Sequence, residues 1–128
     1  MNLTATLFAL FGPFLLWPIE IILPFPYLVE ELFKLFIVLF ILKDKSDENP
    51  VATIVVSGIL FSLSETVLYI FKINAYGDIG ILFARLIYTT VLHTTTFLVI
   101  YYASKKKPFL YLGLLAAILI HYLYNVYI

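Results

Sequence analysis

Five apolar runs, separated by polar stretches no longer than the eight residues Lys43-Asp44-Lys45-Ser46-Asp47-Glu48-Asn49-Pro50, leave this chain little choice of fold. A helix needs roughly 20 apolar residues to cross a hydrocarbon core of about 30 Å. The 128 residues therefore hold four or five spans with short loops, and no soluble domain fits beside them. Composition agrees: 63% of residues are hydrophobic, 12% are charged and mean hydropathy is +1.05, whereas soluble domains carry about 25% charged residues. The expected fold class is all-α, a polytopic membrane helix bundle of about five transmembrane helices forming one domain over residues 1–128.

Net charge is zero and no basic stripe is present, so nucleic acid is excluded as a partner. The absence of cysteine excludes disulfides, thiolate metal sites and a cysteine nucleophile. The start, Met1-Asn2-Leu3-Thr4, lacks the positive charge of a secretory signal, and Pro13 and Pro18 interrupt the first apolar run. It reads as a retained first span.

The spans are placed at about 3–23, kinked at Pro13 and Pro18, then 27–42, 50–72, 79–103 and 109–128. Pro24-Phe25-Pro26 ends the first, because proline lacks the donor a helix needs. Pro50 starts the third after a polar cap, and the loop around Asn74-Ala75-Tyr76-Gly77-Asp78 follows it. Lys105-Lys106-Lys107-Pro108 precedes the fifth. With five spans, the 43–50 and 104–108 loops lie on the side of the N-terminus and hold five lysines; the other side has Lys72. Positive charge marks the cytoplasmic side. The protein is therefore expected in the cell membrane, with its N-terminus cytoplasmic and its C-terminus outside.

Of sixteen charged side chains, ten fall in loops or at their edges. Glu20, Glu30, Glu31, Lys34, Glu65 and Arg85 do not, and His93 and His121 join them inside apolar runs. Each ionisable residue at a helix centre costs about 2.5–3.5 kcal/mol to insert, and such residues generally face the bundle interior at a site or pathway. At about 1.5 Å per residue, Glu65 and His121 reach similar heights on their helices, and Glu30, Glu31 and Arg85 approach that level from the outer side. One layer between the midplane and the outer surface is where they would meet. Either Glu30 or Glu31 can pair with Lys34, four and three residues away. Thr89 and Thr96 flank His93 on nearly one face, and Asn125 lies four residues after His121. Arg85 and Glu20 suit a mutual pair or the interface, and the serines of the third helix suit close packing.

These residues resemble a known family. Glu30-Glu31-Leu32-Phe33-Lys34 fits E-E-x-x-K, Phe61-Ser62-Leu63-Ser64-Glu65 fits F-x-x-x-E, Arg85 precedes His93, and His121-Tyr122-Leu123-Tyr124-Asn125 fits H-x-x-x-N. In this order on successive helices they resemble the PrsW-type intramembrane proteases, relatives of type II CAAX prenyl endopeptidases and bacteriocin-processing enzymes. The resemblance covers about Glu30 to Asn125 and implies hydrolysis of a peptide bond in a membrane-anchored protein or peptide. Two features depart from it: the chain is shorter than typical members, and Thr66 stands where an asparagine often follows the glutamate. A homodimer would supply the missing packing.

Amide hydrolysis needs an activated water, a stabilised oxyanion and a proton for the leaving amine. Glu30 or Glu31 beside Lys34 is the candidate base, with His93, His121 and Asn125 orienting water or donating to the oxyanion. Glu65 either holds a histidine in one tautomer or ligates a metal. Glu65, His93 and His121 would form a two-histidine, one-carboxylate set for zinc, although no H-E-x-x-H spacing announces it. Lys34 and Arg85 are supporting residues. Two other readings share these residues: a small oligomeric, proton-coupled transporter, and an inactive member that binds a membrane partner.

Overall fold

The computed structural model describes residues 1–73 and 78–128, apart from the side chains of Lys72 and Ile73. The loop expected around Asn74 to Gly77, and the Lys72 side chain used for topology, lie outside the described residues. Five α-helices follow in order: α1 (Leu3–Ile22), α2 (Pro26–Lys43), α3 (Pro50–Ile73), α4 (Ile79–Ser104) and α5 (Leu110–Tyr127), the last entered through a 3₁₀ turn at Lys107–Phe109. Their limits fall within two residues of those expected. Each start has a local cause. The Asn2 side chain accepts from the Ala5 amide at 2.9 Å, Asn49 accepts from Ala52 at 3.1 Å and Asp78 from Gly80 at 2.8 Å, each satisfying an orphan donor of a first turn. Proline opens α2 and α3, where its missing N–H costs nothing.

Among the described residues, four helices are long and apolar enough to cross a membrane: α1, α3, α4 and the segment containing α5. Helix α2 has 18 residues and carries Glu30, Glu31 and Lys34, all buried. It touches all four other helices, so its charged face is turned inward. The distribution is inside-out relative to a water-soluble bundle. Phe11, Leu15, Phe83, Val91 and Leu112 are exposed, while Ser57, Thr89, Thr96, His93 and His121 are buried. Lipid is the solvent that accepts such a surface, and the chain is a multi-pass membrane protein.

Small residues set the helix contacts. A Cβ on Gly58 would meet the Thr94 backbone at 2.7 Å, and one on Gly113 would meet the Ala103 Cβ at 2.1 Å; close approach of this kind drives association where lipid removes the hydrophobic contribution. Helix α1 continues through Pro13 and Pro18, and the Ser64 hydroxyl donates to the Leu10 carbonyl in that stretch. At the opposite end the Asn2 side chain donates to Asp44 at 2.7 Å, and the Asn2 amide lies 3.2 Å from both Asp47 and Thr53. The start of α1, the end of α2 and the start of α3 are thus tied together. The late part of α3, the early part of α4 and the late part of α5 lie toward the other end, with the start of α2.

Candidate active site

Lys34 is the centre of the polar core. Its side chain is fully buried, and an ammonium has three donors and no acceptor. All three are used: Glu31 Oε1 at 2.6 Å, His93 Nδ1 at 2.8 Å and Thr96 Oγ1 at 2.8 Å. The rings of Phe61 and Phe97 lie 5.3 and 5.6 Å from Nζ, within range of a cation–π contact. A buried charge is tolerable only when it is paired and hydrogen-bonded, and this one is both. Of the two acids expected beside Lys34, it is Glu31 that makes the pair.

These bonds set the histidine tautomers. Because Lys34 can only donate, His93 Nδ1 accepts, and a neutral ring then carries its proton on Nε2, which donates to Glu65 Oε2. The ionised Glu31 carboxylate only accepts, so His121 Nδ1 donates to Glu31 Oε1 at 2.6 Å. That leaves the His121 Nε2 lone pair facing Glu30 Oε2, 3.9 Å away. The two imidazoles meet edge to face, with centroids 5.5 Å apart. Phe61, one turn before Glu65, packs on His93 at 4.9 Å, which gives the F-x-x-x-E spacing a mechanical meaning: the ring holds the imidazole that the carboxylate binds.

Glu65 is also held from its other oxygen, by Arg85 Nη2 at 2.8 Å, and the guanidinium lies 4.0 Å over the Tyr69 ring. Glu30, Glu65, Arg85, His121 and Asn125 all line one cavity of about 420 Å³, whose wall Trp17, Glu20 and Tyr69 complete. Among the site carboxylates, the Glu65 side chain is 22% exposed, Glu30 9% and Glu31 0%. Glu65 is therefore the one that a molecule in the cavity reaches most readily. Glu31 lies behind the wall.

The residues selected from sequence thus converge. Glu31, Lys34, His93, His121, Glu65 and Arg85 form one continuous chain of polar contacts drawn from four helices, and Glu30 and Asn125 join it at the cavity. Arg85 bonds Glu65, and Glu20 shares the cavity with them. Thr96, a flank of His93 in the sequence, also takes a Lys34 donor; its i, i+3 spacing from His93 is the signal the sequence offers. Tyr69 and Trp17 are plain aromatics in sequence and become site residues only through packing.

The expected metal set changes in one member. Among the described residues, Glu30, His93 and His121 offer ligand atoms all within 4.8 Å of one another, so Glu30 replaces Glu65. The reason is helix placement. Helix α2 packs against α5 and turns Glu30 to His121, whereas Glu65 on α3 is drawn to Arg85 and His93. The residues fit a divalent ion on one condition: His93 must give up the Nε2 proton it donates to Glu65, so that this lone pair meets the ion while Nδ1 stays on Lys34. Two imidazoles and a carboxylate are a borderline donor set suited to zinc, Glu30 Oε2 is buried with no hydrogen-bond partner, and Glu31 anchors His121 from behind, as ligating histidines require.

Comparison with known proteins agrees with this constellation. The family described as PrsW family intramembrane metalloprotease matches residues 19–128, a range containing every residue of the polar chain. No curated protein and no solved structure matches. On that match, which spans most of its length and the whole polar network, the chain belongs to the PrsW family of intramembrane metalloproteases.

Proposed function

We propose that this protein hydrolyses a peptide bond of a membrane-anchored substrate, using water activated in the cavity that Glu65, Glu30 and His121 line, with His93 buried behind Glu65. The observation that carries the reading is the single buried network running from Arg85 through Glu65, His93, Lys34 and Glu31 to His121, beside a cavity of about 420 Å³. A bilayer protein bears the insertion cost of so many ionisable groups where they act.

Glu30, His93 and His121 are the residues that would hold a divalent ion, and such an ion supplies Lewis acidity toward water and a carbonyl oxygen. Glu65 is the proton carrier in this scheme. Its side chain lines the cavity, with Oε2 against His93, so it takes a proton from water and returns it to the departing amine. Arg85 keeps it in place through Oε1. Glu31 fixes the His121 tautomer so that the Nε2 lone pair faces Glu30 and the ion the two would share, and Lys34 balances the carboxylates while fixing His93. Asn125 and Arg85 are the cavity donors available to the developing oxyanion. With the 43–50 and 104–108 loops cytoplasmic, the cavity lies in the outer half of the bilayer.

The test uses the purified protein in proteoliposomes with a panel of single-span reporter proteins cut near the outer membrane surface. Glu65→Gln is expected to lose cleavage while retaining bound metal, and Glu30→Gln to lose both. Full cleavage by Glu65→Gln removes it from the chemistry. Proton-coupled solute flux without any hydrolysis would replace the protease reading with a carrier.

A further inference from the structure

The cavity beside the polar network has two kinds of lining. Glu30, Glu65, Arg85, His121 and Asn125 carry its polar groups. Helix α1 adds Pro13, Trp17 and Ile21, spaced four residues apart on one face, and α3 adds Leu68 and Tyr69. The chemistry of proton transfer uses none of these five side chains.

The two linings also stand at different heights. Asn2 meets Thr53 and Leu10 meets Ser64, so α1 and α3 rise in the same direction, and that register sets Trp17 level with Leu68 and Tyr69. On α3 those two residues lie one turn beyond Glu65. On α2, Pro26 lies one turn before Glu30, toward the same end of the bundle. Trp17, Pro26, Leu68 and Tyr69 thus form a collar about 5 Å from the level of the carboxylates, nearer the end at which α2 begins. Tyr69 ties this collar to the network: the Arg85 guanidinium lies 4.0 Å over its ring while Arg85 bonds Glu65 at 2.8 Å.

We propose that this collar is the side-chain pocket that selects the substrate, accepting leucine, phenylalanine or a comparably large apolar residue beside the scissile bond; the inference rests on the protease reading above. An extended peptide advances about 3.3 Å per residue. With the scissile carbonyl at the level of Glu65 and Glu30, the side chain of a flanking residue therefore stands at the collar. Seating an apolar side chain there removes it and the collar from water together, and alanine leaves the space part-filled. Binding sites commonly combine such an apolar wall with a few polar groups that fix orientation. The same cavity argues against a lipid chain as occupant. An acyl chain reaching past the collar would cover Glu65, Glu30 and Arg85 while offering them no hydrogen bond, which is costly. A peptide offers an apolar side chain to one lining and amide groups to the other.

The test uses single-span reporters in proteoliposomes whose glycine–serine juxtamembrane segment carries one variable residue: leucine, phenylalanine, alanine, aspartate or lysine. Product mass locates each cut. Cleavage next to leucine or phenylalanine is expected at about ten times the kcat/KM for alanine, the discrimination an apolar pocket gives. Equal rates across the panel, or a preference for alanine or a charged residue, overturn the proposal. Trp17→Ala, with Leu68→Ala as a second variant, should collapse the leucine-to-alanine ratio toward one. A ratio is read because partial unfolding lowers both rates alike; a ratio that stays near ten in both variants also overturns the proposal. Binding is measured separately in Glu65→Gln. Trp17 is the only tryptophan in the chain, so its fluorescence reports occupancy of the collar, and the leucine reporter should half-saturate at about a tenth of the concentration needed for alanine. The two reporters share one span and partition into lipid alike, so equal half-saturation refutes the collar. A wild-type protein that cuts no reporter sinks the protease reading instead and leaves the fluorescence titration to decide the pocket.

Discussion

Replacing Lys34 by methionine tests the core of the site with a magnitude the structure sets. Methionine keeps most of the volume and removes the charge. It leaves Glu31 ionised in a pocket with no cation beside it, and takes the donor from His93 Nδ1 and from Thr96. Each hydrogen bond to a charged group is worth about 1.5–3 kcal/mol, offset by the desolvation that the ammonium no longer suffers. Removing one partner of a buried ion pair costs about 3–5 kcal/mol net, chiefly through the charge left behind. Equilibrium unfolding in mixed SDS and dodecyl maltoside micelles, followed by far-ultraviolet circular dichroism, should show a loss in that range for Lys34→Met. The double variant Lys34→Met/Glu31→Gln removes the stranded charge as well. It should recover part of the loss, with a coupling near the upper end of the ~0.5–3 kcal/mol seen for contacting residues. A single-variant loss under about 1 kcal/mol, the size of an exposed ion pair, would show that Lys34 is not buried against Glu31 and would remove the basis for both histidine tautomers.

The remaining predictions concern other parts of the molecule. If Glu30, His93 and His121 hold a divalent ion, saturating zinc at about 100 times its dissociation constant should stabilise the wild type by about 2.7 kcal/mol; a chelator should abolish that increment, and Glu30→Gln should never show it. Gly113→Val drives a side chain into Ala103 and should cost about 1–3 kcal/mol by overpacking, with part of the loss restored by Ala103→Gly; a neutral Gly113→Val would mean that α4 and α5 do not touch there. The Ser46 hydroxyl and amide hold the Asp44 carboxyl below the usual aspartate range. Its contribution is therefore complete above the unfolded value of about 3.9 and is lost as pH falls through the lower folded value. Hydrogen exchange at the first turn of α1 should accelerate in that acid window, and Asp44→Asn should remove the Asp44-dependent part of the change.

Much of this architecture is written in the order of residues. The apolar run lengths, with the caps at Asn2, Asn49 and Asp78 and the prolines at 26 and 50, place five helices to within two residues, because helix limits in lipid depend on local chemistry. The ionisable residues in those runs were equally legible as a site, since a membrane makes each one costly wherever it has no purpose. Pairing was not legible. Spacing allows either Glu30 or Glu31 to reach Lys34, and the rotation of α2 between α4 and α5 decided for Glu31, leaving Glu30 to face His121. The exchange of Glu65 for Glu30 in the candidate ligand set has the same origin, as does the recruitment of Tyr69 and Trp17 to the cavity wall. Periodicity along one helix says which residues share a face. Which face meets which neighbour depends on packing around Gly58 and Gly113, and on a polar network that is satisfied only when several helices are in place together.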